Sequence, residues 1–428
     1  MRHLWDRLKR LSAKLLQTGF FSVFLANILS KVLTFIGGMI IVRILTKSEN
    51  GVYTYIINCY GILMLLGDLG CSQATLQFCN ESHNDFKRFN GYFVYGVRRG
   101  FVFSALTSLL ILASPWFYPF KTAEAAQLTR MLCLMPFLAG ANNLLVSNLR
   151  ARLKNHRFGA VNIFRTFVHY LVILPMSYWM GAVGAVLSNY VIESLVLVFT
   201  LLASRGLLDF SWQDDSLTKA EKRGFLSLAF GSQLDLGIAQ AMMMLDVFLI
   251  GIFIYNDEII ASYKVATIIP SALAFIPTSL LIYVGPYFVH HNQDMDWVRL
   301  NYFRLTLGCL AGSVLIAGGC ILLAPWIIPL VFGQQYADAV PCFIVLMIGY
   351  VFSAAIQVPS QNIIYTQKRV KVNIAITIFT GAANCVLDVV LILKDGSIGA
   401  AWATTLVHII ASGLCFAYMC FYLRRRAL

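Results

Sequence analysis

The sequence predicts an all-α integral membrane protein: twelve transmembrane helices in two six-helix lobes, related as parallel repeats around a central cavity. Three observations carry that expectation. The composition is too apolar for water, basic residues cluster in alternate connecting segments while the intervening ones hold little more than Lys47, Lys121 and Lys394, and the chain repeats itself at half its length. Of 428 residues, 59% are hydrophobic and 12% are charged, whereas a soluble domain carries about 25% charged residues. A water-soluble core cannot hide that much apolar side chain, so a bilayer has to be part of the solvent. The formal net charge of +13 would suggest nucleic acid in a soluble protein. In a membrane protein it reflects orientation and anionic lipid, so the expected partners include membrane lipids and no nucleic acid.

Apolar runs bounded by polar breaks place the spans at 18–45, 52–75, 91–117, 128–149, 158–180, 182–204, 225–254, 260–287, 303–331, 338–362, 372–393 and 397–422. The first run, Phe20 to Leu45, is longer than a signal-peptide core of about 7–15 residues and has no small-residue cleavage site, so it counts as a span. Basic residues then fall in every second connecting segment: Arg2, Arg7, Lys9, Arg10 and Lys14; Lys87 and Arg88; Arg150 to Arg157; Arg205 to Arg223; Arg299; Lys368 to Lys371; and Arg424 to Arg426. That side is predicted to be cytoplasmic and to hold both termini, which requires an even number of spans. The opposite side carries Trp116, Tyr118, Tyr178, Trp179, Tyr255, Trp326 and Tyr336, as an interfacial aromatic belt would.

The repeat divides the chain. GAVGAVLSNYVIESLVLVFTLL from Gly181 aligns with GSIGAAWATTLVHIIASGLCFA from Gly396 at a shift of 215 residues, and Tyr53 in TKSENGVYTYI aligns with Tyr263 in NDEIIASYKVA at a shift of 210. The basic turn KNHR at 154–157 likewise parallels TQKR at 366–369. Six spans per half preserve orientation, giving lobes 1–208 and 209–428 joined through the polar segment 205–224, an arrangement suited to alternating access. Helix breakers at Gly37, Gly38, Gly67, Gly70, Pro136, Pro175, Pro270, Pro277, Pro286 and Pro359 either supply compliance for that motion or reflect the abundance of glycine and proline in membrane helices.

Ionisable groups inside spans are costly and mark cavities or partners. The candidate substrate-binding cations are Lys31, Arg98, Arg99, Arg165 and Arg130. Lys31 lies about 13 residues into its helix, or ~20 Å, too deep to reach the interface comfortably. For Arg98, Arg99 and Arg165, snorkelling to lipid phosphate competes with a cavity role. Arg130 and Lys264 lie near the opposite face, where an interfacial role competes. A cationic first lobe suits an anionic cargo, and guanidinium donors suit phosphate oxygens. Asp246, Asp235 and Glu193 are the ion-coupling candidates, since a buried carboxylate takes up H⁺ or Na⁺. Asp246 and Asp235 share a helix face, and Glu193 falls opposite His408 in the repeat. Asp68 and Asp388 read instead as members of structural ion pairs. The ten cysteines read as packing thiols. With no Walker A, GxSxG or HExxH motif, the chain is expected to be no enzyme, to hydrolyse no ATP and to need no cofactor beyond an ion gradient.

RILTKSENGVYTYI (43–56), the DLG at 68–70, LDVFLIG (245–251), ASYKVA (261–266), AFIPTSLLIYVGPYF (274–288) and GSIGAAWATTL (396–406), in that order and spacing, resemble the Wzx-type polysaccharide flippases. That family lies within the multidrug/oligosaccharidyl-lipid/polysaccharide exporter superfamily. The resemblance implies a flippase that moves an undecaprenyl-pyrophosphate-linked oligosaccharide, of the O-antigen or capsule type, from the cytoplasmic to the periplasmic leaflet of the cell inner membrane. It also places the family's intramembrane aspartate on Asp246 and makes a polymerase and chain-length regulator of the pathway candidate partners. Two alternatives stand beside it, a multidrug exporter of the same superfamily and a membrane glycosyltransferase or polymerase of the same pathway. The first favours acidic or aromatic cavities, and the second commonly has a large periplasmic loop, for which the segment 118–127 is short.

Overall fold

The computed structural model describes residues 20–82, 84–117, 123–207, 217–254, 256–291, 294–367 and 369–425, without the side chains of 20–30 and of a few helical positions that include Asp235. The N-terminal basic cluster Arg2 to Lys14 lies outside the described residues, as do Tyr118, Tyr255 and the side chain of Asp235. Among the described residues every regular element is helical.

In chain order these are α1 (Phe20–Ile44), α2 (Lys47–Leu63), a 3₁₀ turn (Met64–Leu66), α3 (Cys71–Glu81), α4 (Phe86–Phe117), α5 (Ala123–Met131), α6 (Met135–Ala151), α7 (Asn155–Ala203), α8 (Lys219–Ile254), α9 (Asp257–Leu273), α10 (Phe275–His290), α11 (Met295–Phe332), a 3₁₀ turn (Gln334–Ala339), α12 (Val340–Phe352), a π-turn (Ser353–Gln357), α13 (Val358–Thr366) and α14 (Val370–Arg425). Starts are set by capping. Thr46 and Glu49 form a reciprocal box at α2, and Asn256 accepts from the Glu258 and Ile259 N–H groups at α9, the repeat-related position. The carboxylate of Asp68 accepts from the N–H groups of Gly70 (3.1 Å) and Ser72 (3.0 Å). Asp68 thus caps α3 rather than pairing with a cation.

Two helices are too long for one crossing. At 1.5 Å per residue, the 49 residues of α7 and the 56 of α14 would each run to roughly 75 Å or more, against a hydrocarbon core of ~30 Å. Each breaks at a glycine with nearly the same backbone: Gly181 at φ 57°, ψ −139° and Gly396 at φ 64°, ψ −138°. A β-carbon on Gly184 would stand 1.9 Å from the carbonyl oxygen of Met176, and one on Gly399 would stand 1.9 Å from that of Leu391. Residues eight apart in a straight helix are about 12 Å apart, so the chain reverses at both places. Six helical stretches, two of them these doubled ones, are long and apolar enough to cross a membrane, and two bent pairs, Lys47–Leu66 with Cys71–Glu81 and Ala125–Met131 with Met135–Ala151, each make one further span. Counting each doubled helix twice and each bent pair once, and adding α1 and α8, the helices accommodate the twelve expected crossings.

The outer surface is apolar. On α11, Leu307, Leu315, Leu322 and Leu330 form one exposed stripe, and Trp116, Tyr178, Trp179 and Trp326 are exposed near helix ends. Tyr336, placed in the aromatic belt by sequence, is instead fully buried, because the three-residue period of the 3₁₀ turn sets Tyr336 and Ala339 inward while its other residues stay exposed.

Contacts divide the chain into two compact units, Met1–Met244 and Leu245–Leu428. In the first, Phe225 and Ala229 of α8 are buried with Cys71, Tyr92 and Tyr95, and Gln233 Nε2 donates to the Leu65 carbonyl at 2.6 Å. That carbonyl is available because the helix is broken between α2 and α3. At the start of α8, the Thr218 hydroxyl and N–H both donate to the Glu221 carboxylate, which also faces Arg88 at 3.7 Å. In the second unit, Phe288, Val298, Tyr302, Ile363 and Met419 form a core.

Candidate functional site

The second unit gathers an acidic centre from three helices. Asp246 comes from the last third of α8, Tyr263 from α9, and Asp388 and Thr404 from the two limbs of α14. The Tyr263 hydroxyl donates to Asp246 Oδ2 at 2.5 Å, and the Thr404 hydroxyl donates to the same oxygen at 2.7 Å. Asp388 is fully buried. Its Oδ2 accepts from Asn384 Nδ2 at 3.0 Å, its Oδ1 has no hydrogen-bond partner, and its carboxyl lies within hydrogen-bonding reach of Asp246. Sequence led us to expect a cation beside Asp388; the fold sets a second carboxyl there.

Two carboxylates in contact away from water cannot both be ionised cheaply. The centre therefore requires a shared proton or a bound cation, and its all-oxygen donor set suits a hard ion. Among the described residues neither aspartate forms an ion pair. Lys264, adjacent to Tyr263, is exposed and feels Asp246 only through space. No group of three or more His, Cys, Asp or Glu side chains forms a metal cluster among the described residues.

The repeat gives this centre an internal control. At the shifts of 210 and 215 residues, Asp246, Tyr263, Asp388 and Thr404 correspond to Ile36, Tyr53, Ile173 and Asn189. In the first unit Tyr53 still bonds its partner, Asn189, but both acids have become isoleucine.

The first unit places its charge elsewhere. Arg165, ten residues into α7, turns inward to Glu193, with Nη2 and Oε2 3.5 Å apart, instead of reaching for the lipid interface. Asn142 of α6, wholly buried, donates to the same Oε2 at 2.6 Å and to the Glu193 carbonyl at 3.1 Å. The corresponding positions of the second unit, Gln357 and His408, also pair, with Nδ1 and Oε1 2.8 Å apart. Glu193 and His408 therefore occupy equivalent places and each finds its partner within its own unit.

The remaining candidates lie on three separate helices. Lys31 is exposed on α1, a helix clamped by the bond from Tyr170 to the Thr34 carbonyl at 2.9 Å. Arg98 and Arg99 are exposed on α4, Arg99 lying over the Tyr95 ring at 5.3 Å. Arg130 is exposed in the last turn of α5. Sequence reasoning missed Thr404 and Tyr263 as hydrogen-bond donors to Asp246 and Asn142 as a donor to Glu193. The available signal was the repeat alignment, which sets Thr404 opposite Asn189 and Tyr263 opposite Tyr53.

Known structures share this fold along nearly the whole chain. An inward-facing multidrug resistance MATE family transporter of the MOP superfamily superimposes with a TM-score of 0.75 at 14% identity, covering 93% of this chain and 95% of the other. The lipid II flippase MurJ in an inward closed conformation gives 0.73 at 15% identity, covering 93% and 87%. A MOP superfamily transporter from Pyrococcus furiosus gives 0.53 at 14% identity, covering 96% and 94%. No curated protein matches the chain. The sequence profile described as "Polysaccharide biosynthesis protein" matches residues 40–341. A match over that much of the chain shows that the chain belongs to the polysaccharide biosynthesis protein family.

Proposed function

We propose that this protein is a flippase that moves an undecaprenyl-pyrophosphate-linked oligosaccharide from the cytoplasmic to the periplasmic leaflet of the inner membrane, with both termini cytoplasmic, by ion-coupled alternating access. The observation that carries this reading is the replacement of Ile36 and Ile173 of the first unit by Asp246 and Asp388 in the second. An unpaired carboxyl centre inside a membrane protein costs several kcal/mol to maintain. It is explained by a role in taking up and releasing H⁺ or Na⁺. Cation uptake at Asp246 removes the repulsion from Asp388 and favours whichever conformation holds the two carboxyls together.

The cargo class rests on family membership and on the fold shared with a protein named as a lipid II flippase. Arg165 offers planar donors to a pyrophosphate from inside α7, and Lys31, Arg98, Arg99 and Arg130 extend the positive potential along the first unit. Asp235 shares α8 with Asp246 and stands as a second coupling candidate. In proteoliposomes carrying a fluorescent polyprenyl-pyrophosphate glycan, an imposed proton or sodium gradient should accelerate flipping, and Asp246→Asn should abolish that response while a basal rate remains. A gradient response unchanged in Asp246→Asn refutes the coupling role.

A further inference from the structure

We infer that Glu193 is an internal placeholder for the cargo anion: its carboxylate occupies Arg165 until a pyrophosphate displaces it, and Asn142 sets how firmly it holds. This rests on the reading of Arg165 as a pyrophosphate-binding residue and assigns Glu193 a role distinct from ion coupling.

The geometry around one oxygen carries the inference. Glu193 Oε2 is 2.6 Å from Asn142 Nδ2 but 3.5 Å from Arg165 Nη2. The amide makes a short, charge-assisted bond, while the guanidinium makes a loose ion pair without a hydrogen bond. Arg165 Nη2 is nevertheless buried and has no hydrogen-bond partner. A buried N–H donor left unsatisfied costs free energy, and a guanidinium offers five donors, of which a distant carboxylate uses none well. The site therefore holds a cation that is one-third exposed as a side chain, 35%, but whose inner amino group is buried beside a carboxylate without being bonded to it. A phosphate oxygen, with more charge and more acceptor sites, recovers the missing bonds.

The pair is also special to the first unit. Asn142 and Glu193 correspond to Gln357 and His408 at the shift of 215, and Arg165 corresponds to Thr380. The Thr380 hydroxyl is spent on the Ile376 carbonyl of its own helix, at 2.9 Å. The second unit keeps the neutral pair and lacks the charges. Tyr60 stands near both Glu193 and Tyr190, and Tyr190 is tied to the Met131 carbonyl and the Leu134 N–H. The carboxylate thus faces Asn142 from α6, Arg165 from the first limb of α7 and Tyr60 from α2. A placeholder of this kind keeps the empty site neutral and lets the cargo be released, since returning the carboxylate to Arg165 competes with the bound anion.

The test is binding of a labelled short-chain polyprenyl pyrophosphate to the full-length purified chain. Arg165→Ala should weaken binding at least tenfold. Glu193→Gln keeps the side-chain shape and should tighten binding threefold or more while slowing flipping. The double variant should bind as weakly as Arg165→Ala, because the gain acts through the guanidinium. Asn142→Ala, which frees the carboxylate to close on Arg165, should weaken binding only while Glu193 is present. If Arg165→Ala weakens binding but Glu193→Gln fails to tighten it, the placeholder is overturned and the role of Arg165 stands. If Arg165→Ala binds like the wild type, the reading of Arg165 falls and the placeholder with it.

Discussion

The acidic centre concentrates its chemistry on a single oxygen, since Asp246 Oδ2 accepts from both Tyr263 and Thr404. Hydrogen bonds to a charged group are worth about 1.5–3 kcal/mol, so Tyr263→Phe should lower thermal stability in detergent by an amount in that range. Asp388→Asn is different, because the amide fills the same space and removes the repulsion. It should leave stability within about 1 kcal/mol yet remove the gradient response of flipping; a retained response in Asp388→Asn would place coupling elsewhere. Asp246 is legible in the sequence because an acid inside an apolar run demands a reason. Its neighbours are not legible, because Tyr263 follows by 17 residues and Thr404 by 158, and no local pattern reports contacts across such separations. The role of Asp388 was misread for the same reason, since a lone buried acid gives no sign of whether a cation or a second carboxyl faces it.

Among the elements, the paired reversals in α7 and α14 are the most constrained. Gly184 and Gly399 each press on a backbone carbonyl that cannot swing away, with 1.9 Å available for an added β-carbon. Gly184→Ala or Gly399→Ala should therefore cost at least ~1–3 kcal/mol through overpacking, read as a lower melting temperature and reduced membrane yield. Gly231→Ala, with nothing near its β-position, serves as the neutral control. The α8 cap makes a separate prediction. Hydrogen bonds from the Thr218 N–H and hydroxyl hold the Glu221 carboxyl below its ordinary value of 4.5. A depressed carboxyl contributes stability at neutral pH that is lost as pH falls from the ordinary value through the folded one. Amide exchange in the first turn of α8 should therefore lose protection in that acidic window, and Glu221→Gln should flatten the dependence. The reversals themselves were readable from sequence, because the glycine pairs align at a shift of 215. The break between α2 and α3 was only hinted at by Gly67 and Gly70, since the bond from Gln233 that uses its freed carbonyl comes from a helix 168 residues away.

Over the whole molecule, the chain combines a net charge of +13 with an apolar surface that includes the leucine stripe of α11. Basic residues near a membrane surface each contribute on the order of 1 kcal/mol toward anionic lipid. Bilayers rich in phosphatidylglycerol should accordingly raise the unfolding temperature above that in purely zwitterionic lipid, and salt should shrink the difference; equal temperatures in the two lipids would contradict this. The twelve crossings and the repeat were accessible from composition and periodicity, because burial in lipid writes itself into every helix. The division of charge between the units was visible only as an inventory until the fold showed which groups touch. The matched glycine reversals at Gly181 and Gly396 are what duplication of a single ancestral module leaves behind. If the two copies began alike, the isoleucines at 36 and 173 and the aspartates at 246 and 388 record a later parting of trades. One descendant kept isoleucine at both places and took up a guanidinium elsewhere, while the other took up a pair of carboxyls.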